Sequence, residues 1–190
     1  MIPILQANLH YEPCGTREQH EDLLQQILQQ KEKDPIGIDL SNNGCWRSEH
    51  KYNNIDWLID GITSVANKQI NLYNTLDPSF KQKLDNLQQL QHYYWTNVNK
   101  PGSNNYIHTH KGYTFTGCFY LQGNDTGLLT FHNPSNVLNE CHHTSPFISQ
   151  YQFNPNDGFI YMWPGWMPHE VTTNLSSKDR INISFNIWLT

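Results

Sequence analysis

The sequence predicts a mainly β fold. Eight short antiparallel strands in the second half of the chain form a jelly roll, and helices in the first half buttress one of its sheets. Three observations lead there. From Tyr93 onward, short β-branched and aromatic runs alternate with Gly, Pro and Asn turns. Ahead of that point apolar residues recur at the helical period instead. Six Trp, ten Tyr and eight Phe offset a hydrophobic content of only 37%, so aromatic rings can fill a β-rich core. The 190 residues read as one domain, with 1–91 mostly helical support and 92–190 the jelly-roll core.

Taken in order, residues 1–14 are an extended lead-in, with Ile2, Ile4 and Leu9 forming an edge strand or a lid. Thr16 and Gln19 make a capping box, and Leu23, Leu24, Ile27 and Leu28 repeat helically until Asp34-Pro35 stops the run. Residues 36–40, Ile-Gly-Ile-Asp-Leu, read as a short strand, and Asn42-Asn43-Gly44 as a turn leading to Trp46. A second helix spans about 54–72, with Ile55, Leu58, Ile59, Ile62, Val65 and Ala66 on one face. A third helical piece covers 78–90 through Phe80, Leu84, Leu87 and Leu90. The strands are then 93–98, ended by the turn Lys100-Pro-Gly-Ser, followed by 104–110, 114–121, 127–132, 147–153, 158–163, 169–173 and 180–189. The long break at 133–146 reads as a substrate lid.

Composition excludes several function classes. Twelve basic against 17 acidic residues, a net charge of -5, argue against a broad phosphate-gripping surface, so nucleic acid is not the expected partner. There is no apolar run of membrane-spanning length and no secretory leader pattern, so the expectation is a soluble, cytoplasmic protein. Cys14, Cys45, Cys118 and Cys141 lack C-x-x-C spacing and are expected to be reduced thiols. Cys141-His142-His143 lacks the spacing of a zinc site, and His10, His20, His50, His92 and His132 read as structural or exposed.

The chemistry concentrates in residues 106–120, Tyr-Ile-His-Thr-His-Lys-Gly-Tyr-Thr-Phe-Thr-Gly-Cys-Phe-Tyr. On an extended strand Tyr106, His108 and His110 share a face, which puts two imidazoles about 7 Å apart. A third ligand is available at His169, and Arg180 follows it by eleven residues. A close histidine pair, a distant histidine and then an arginine describe a metal with open positions beside a cation able to hold a carboxylate. Arg180, Asn182, Ser184 and Asn186 share one face of the last strand, where four polar side chains are costly unless they line a cavity. Trp163, Trp166 and Met167 read as a turn packed over the barrel end, while Trp95 and Asn97 fit the pocket or the core equally well.

At these residues the sequence resembles the double-stranded β-helix oxygenases that use Fe(II) and 2-oxoglutarate, in particular a prolyl-hydroxylase-like branch of marine bacteria and their phages. The resemblance rests on four stretches in order: residues 41–48 (Ser-Asn-Asn-Gly-Cys-Trp-Arg-Ser), 106–120 with 127–134, 159–169, and 180–186. It implies a cupin-like jelly roll and a metal site of His108, His110 and His169. His110 stands where the wider superfamily has a carboxylate, and His-x-His is the pattern of the marine branch. The resemblance further implies that Arg180 and Tyr120 hold the far carboxylate of 2-oxoglutarate, with Asn182 and Ser184 beside them, and it attaches no role to 41–48.

The implied activity is hydroxylation by a dioxygenase that consumes O2 and 2-oxoglutarate and releases succinate and CO2, with ascorbate as an optional reductant. Its primary substrate would be a peptide or protein residue or a small molecule, and a phage-encoded protein would act in the host cytoplasm. Two alternatives stand beside it. One is a three-histidine iron dioxygenase or cupin-like enzyme without 2-oxoglutarate; the other is a non-catalytic jelly roll that binds a ligand.

Overall fold

The computed structural model describes residues 7–38, 42–76, 90–134 and 150–190. Strand β1 (His10–Pro13) leads into helix α1 (Arg17–Lys33), followed by β2 (Asn42–Ser48) and α2 (Asp56–Leu76). Then come β3 (Leu90–His108), β4 (Phe115–Gln122), β5 (Leu129–His132), β6 (Gln150–Phe153), β7 (Phe159–Pro164), β8 (His169–Val171) and β9 (Arg180–Leu189). The capping box forms as read: Thr16 accepts from the Gln19 N–H at 3.4 Å while Gln19 accepts from the Thr16 N–H at 2.8 Å. The third helical piece up to residue 89, the lid at 133–146 beyond Pro134, the histidines at 142–143, Ile2 and Ile4 lie outside the described residues, and Leu90, expected to end that helix, opens β3 instead.

All nine described strands pair antiparallel in one curled sheet of order β1-β7-β4-β9-β3-β8-β5-β6, with β2 added to β3. The curl comes from β3, which pairs β9 from Leu90 to Asn99 and β8 from Asn105 to His108. Between these halves Pro101 has no N–H to give a ladder, and Gly102 takes a left-handed φ of 86°. Gly102 donates to the Asn174 carbonyl at 2.7 Å, which ties the bend to the β8–β9 connection. The predicted strand-turn-strand at 93–110 is therefore one bent strand: the turn residues form a bulge that moves β3 from one half of the barrel to the other.

Two further expectations are corrected. Residues 36–38 are not a strand, because Gly37 turns left-handed at 64° and donates to the Asp34 carboxylate at 3.1 Å. Asn42-Asn43-Gly44 is not a free turn but part of β2, where Gly44 absorbs a register shift opposite the β3 bulge. Both helices lie on the convex face. Leu23, Ile27, Leu58, Ile62 and Val65 pack there against Phe119, Ile160, Ile181, Ile183, Phe185 and Ile187, all at most 3% exposed. Each such side chain contributes about 1.5–3 kcal/mol by leaving water. The opposite face of the same strands is thereby turned into the barrel.

Candidate functional site

The concave side holds a cavity of about 460 Å³, within the roughly 300–1,000 Å³ of small-molecule sites. Alternation along β9 sends Arg180, Asn182, Ser184 and Asn186 into it, and alternation along β4 sends Thr116, Cys118 and Tyr120. Thr114, the first residue of the strand expected at 114–121, precedes the strand that forms. His108, His110 and His169 converge here. Their ring centroids are 4.3, 5.1 and 5.2 Å apart, and one ligand nitrogen from each lies within 4.8 Å of the others.

Local structure sets each imidazole. His108 closes β3 opposite His169 of β8. A register shift at residues 106–107 lets both Asn105 and His108 face the cavity, so Tyr106 does not share the histidine face and is 61% exposed. His110 lies just past the end of the strand rather than on it. Its N–H donates to the Gly165 carbonyl at 2.8 Å, and its carbonyl accepts from Tyr113 at 3.2 Å. Gly165 is required for this, since a Cβ there would overlap the Tyr113 carbonyl and come within 2.9 Å of the His110 carbonyl. The Pro164-Gly165 turn therefore fixes the histidine loop.

Hydrogen bonding decides which nitrogen faces inward. His108 Nδ1 lies 2.7 Å from the Tyr106 carbonyl and His169 Nδ1 lies 2.9 Å from the Met167 carbonyl. A carbonyl only accepts, so His108 Nδ1 carries the proton. At His169 Nδ1 the Met167 carbonyl is the shorter partner and outweighs the Trp163 indole N–H at 3.3 Å, which puts the proton on Nδ1 there too and leaves both Nε2 lone pairs for a metal. Trp163, expected in an end turn, is buried in β7 with its ring 4.8 Å from His169 and edge-on to it. Burial pushes the His110 pKa down to about 4, assisted by His108 and Arg47 and opposed by a bond to Asn186. Burial, then the His108 charge, pushes His169 well below its ordinary value. At neutral pH both are uncharged, the state that metal ligation needs. Three convergent imidazoles lining one cavity are a donor set that fits a divalent transition metal.

At the other end Arg180 is 1% exposed. It donates to the Thr126 carbonyl at 3.2 Å and to Asn105 Oδ1 at 2.8 Å, and no described carboxylate pairs with it. Burial lowers its pKa, so the charge is held at a cost. Tyr120, 1% exposed, is kept protonated by burial and lines the same wall. Ser184 accepts from Asn97 at 3.0 Å and from Asn182 at 2.8 Å, so Asn97 belongs to the cavity, as does Trp95. Two lining residues were not legible as such. Alternation along the predicted strand 104–110 puts Asn105 on the face opposite the histidines, and Arg47 sits in a stretch to which no role attached; only the partner switch and register shift of β3 and the pairing of β2 bring them in. Among the remaining described histidines, His20 bonds the Cys14 carbonyl at 2.7 Å, His132 pairs with Glu170 at 3.0 Å, and His50 and His92 are exposed. Cys14, Cys45 and Cys118 form no disulfide among the described residues.

A curled jelly roll with three imidazoles and a buried arginine around one cavity defines a non-haem oxygenase architecture. Residues 93–186 match the family model described as "Putative 2OG-Fe(II) oxygenase", and this stretch of the chain belongs to that family. Prolyl-4-hydroxylase of Pseudomonas putida is similar in structure, with TM-score 0.56 and 12% identity over 95% of this chain and 91% of that one. A prolyl hydroxylase from Trichoplax adhaerens, solved with a hypoxia inducible factor oxygen degradation domain peptide fragment, gives 0.60 and 12% over 95% and 83%. HygX from Streptomyces hygroscopicus, solved with nickel, 2-oxoglutarate and hygromycin B, gives 0.58 and 11% over 96% and 83%. At such identities the likeness is one of fold. No curated protein matches the sequence. Among the described residues no helix is long and apolar enough to cross a membrane.

Proposed function

We propose that the protein is an Fe(II)- and 2-oxoglutarate-dependent hydroxylase, with His108, His110 and His169 holding the iron and Arg180 and Tyr120 holding the far carboxylate of 2-oxoglutarate. The observation that carries this reading is Arg180: a buried guanidinium without a described acid partner, on the wall of the cavity that holds the imidazoles. Arg180 touches Asn105, three residues before His108 on β3, which is roughly 10 Å of strand and suits a five-carbon dicarboxylate reaching from one to the other. Fe(II) with 2-oxoglutarate and O2 supplies the oxidising chemistry, yielding succinate, CO2 and a hydroxylated product; ascorbate is at most an accessory reductant.

The chain's own part is binding and shielding. The two Nδ1–H bonds to backbone carbonyls hold the imidazoles with their lone pairs inward. Arg180 offers a planar fork to a carboxylate, and the Tyr120 hydroxyl, protonated throughout the physiological range, donates a further bond. Asn182 and Ser184 continue this polar wall, while Leu129, Trp163 and Val171 keep the other side apolar. The primary substrate is a peptide residue or a small molecule, the range that the similar structures span. The test is anaerobic loading with Fe(II), then 2-oxoglutarate. A visible charge-transfer band, lost in Arg180→Ala, and oxygen-dependent succinate support the reading. Iron binding without the band favours a three-histidine dioxygenase that does not use 2-oxoglutarate, and absence of iron binding leaves a ligand-binding jelly roll.

A further inference from the structure

The cavity contains a second cation. Arg47 of β2 lines it, with its guanidinium carbon 4.7 Å above the Trp95 ring, and Trp95 in turn stacks on His110 at 6.0 Å. Arg180 occupies the end near Thr126 and Asn105; Arg47 occupies the end near His110. Its side chain is only 14% exposed, and its Nη2 donates to Glu49 at 3.0 Å and to the Tyr93 hydroxyl at 3.3 Å. The bland alternative is a surface ion pair resting on a tryptophan. That leaves two facts unused. Glu49 is 43% exposed and does not line the cavity, and the Arg47 Nε is buried with no acceptor among the described residues. A buried donor left unmet costs more than a partly exposed ion pair returns.

Charge counting points the same way, and this step rests on the reading of the cavity given above. No aspartate or glutamate is among the described residues lining it. Arg180 against a dianionic cosubstrate and a divalent metal leaves one positive charge in excess, because His110 stands in place of a carboxylate. Arg47 with Glu49 adds nothing net. An uncompensated charge in a low-dielectric cavity is costly, and one further anion removes it.

We propose that the primary substrate carries a carboxylate or phosphate group, and that Arg47 is the specificity residue that receives it over the face of Trp95. The substrate class is thus an acid of metabolite size or an acidic residue, rather than a neutral prolyl segment.

The test uses matched probes: benzoate, phenyl phosphate and benzamide, titrated into protein loaded anaerobically with Fe(II) and 2-oxoglutarate, with tryptophan fluorescence as readout. We expect at least one anion to bind at least about tenfold tighter than benzamide, and this preference to fall to about twofold in Arg47→Gln while Arg47→Lys keeps part of it. Which anion is preferred identifies the group. The comparison of anions with amide in the unaltered protein decides the proposal even if Arg47→Gln does not fold. Equal binding of benzamide, or an anion preference that survives Arg47→Gln, overturns it. Failure of 2-oxoglutarate to bind in the first step would instead overturn the reading beneath it.

Discussion

Replacing Arg180 by methionine separates a ligand-holding arginine from a structural clamp. Arginine carries five N–H donors, and here two are given to Thr126 and Asn105. A clamp would be saturated by its protein partners; this guanidinium is not. In the metal-free protein the substitution removes a buried, unpaired charge, a gain, and strands two acceptors, a loss of about 1 kcal/mol each. The two effects oppose each other, so urea unfolding should show a net change within about 1 kcal/mol. Binding of 2-oxoglutarate should respond quite differently. Losing a buried charge-assisted fork costs about 2–4 kcal/mol, which is roughly 30- to 700-fold in Kd. The assay is an anaerobic titration of Fe(II)-loaded protein followed by the visible band. A variant that loses several kcal/mol of stability yet binds 2-oxoglutarate unchanged would refute the reasoning.

Three other outcomes can be measured directly. Gly165→Ala should lower Fe(II) affinity by about 10–100-fold with the fold retained, because the added methyl displaces the backbone that holds His110; unchanged affinity by competition with a chelator would refute it. Phe185→Ala, at a site 0% exposed between sheet and helices, should cost about 3–5 kcal/mol in urea unfolding, and a cost below about 1 kcal/mol would show that the convex core is not where the stability lies. The metal-free protein should lose stability as pH falls from 6.5 towards about 4. Over that window the unfolded chain binds protons that buried His110 and His169 refuse, so stability rises with pH there and the two histidines contribute nothing above it. The urea midpoint followed over this range should flatten in a His110→Gln/His169→Gln double variant, and an unchanged slope would count against the burial argument.

The chemistry-bearing residues were legible because each follows from a local rule. Alternation on β9 alone assigns Arg180, Asn182, Ser184 and Asn186 to one side and Ile181, Ile183, Phe185 and Ile187 to the other, as the structure has them. Period 3.6 and a capping box sufficed for α1. The failures share a different cause. Pro101 and Gly102 signal a break in pairing, which is correct, but local chemistry does not reveal whether the chain reverses or merely bends. It bends, so two strands become one, and Asn105 arrives beside an arginine 75 residues away. Likewise the register shift that turns Tyr106 outward and Asn105 inward is imposed by β8, a partner remote in sequence. Arg47 was missed because Asn42-Asn43-Gly44 carries turn chemistry, which pairing with β3 overrides.

Strand β9 comes late in the chain yet sits between β4 and β3 in the centre of the sheet. Until it inserts, those two have nothing to pair with across the gap, and the barrel is an open trough. During synthesis, then, the earlier histidines emerge well before there is an enclosure to hold a metal beside them. If these histidines hold iron as proposed, its capture falls near the end of folding, when a largely finished scaffold closes around it, and a ribosome stalled before residue 180 would carry a chain unable to retain the ion.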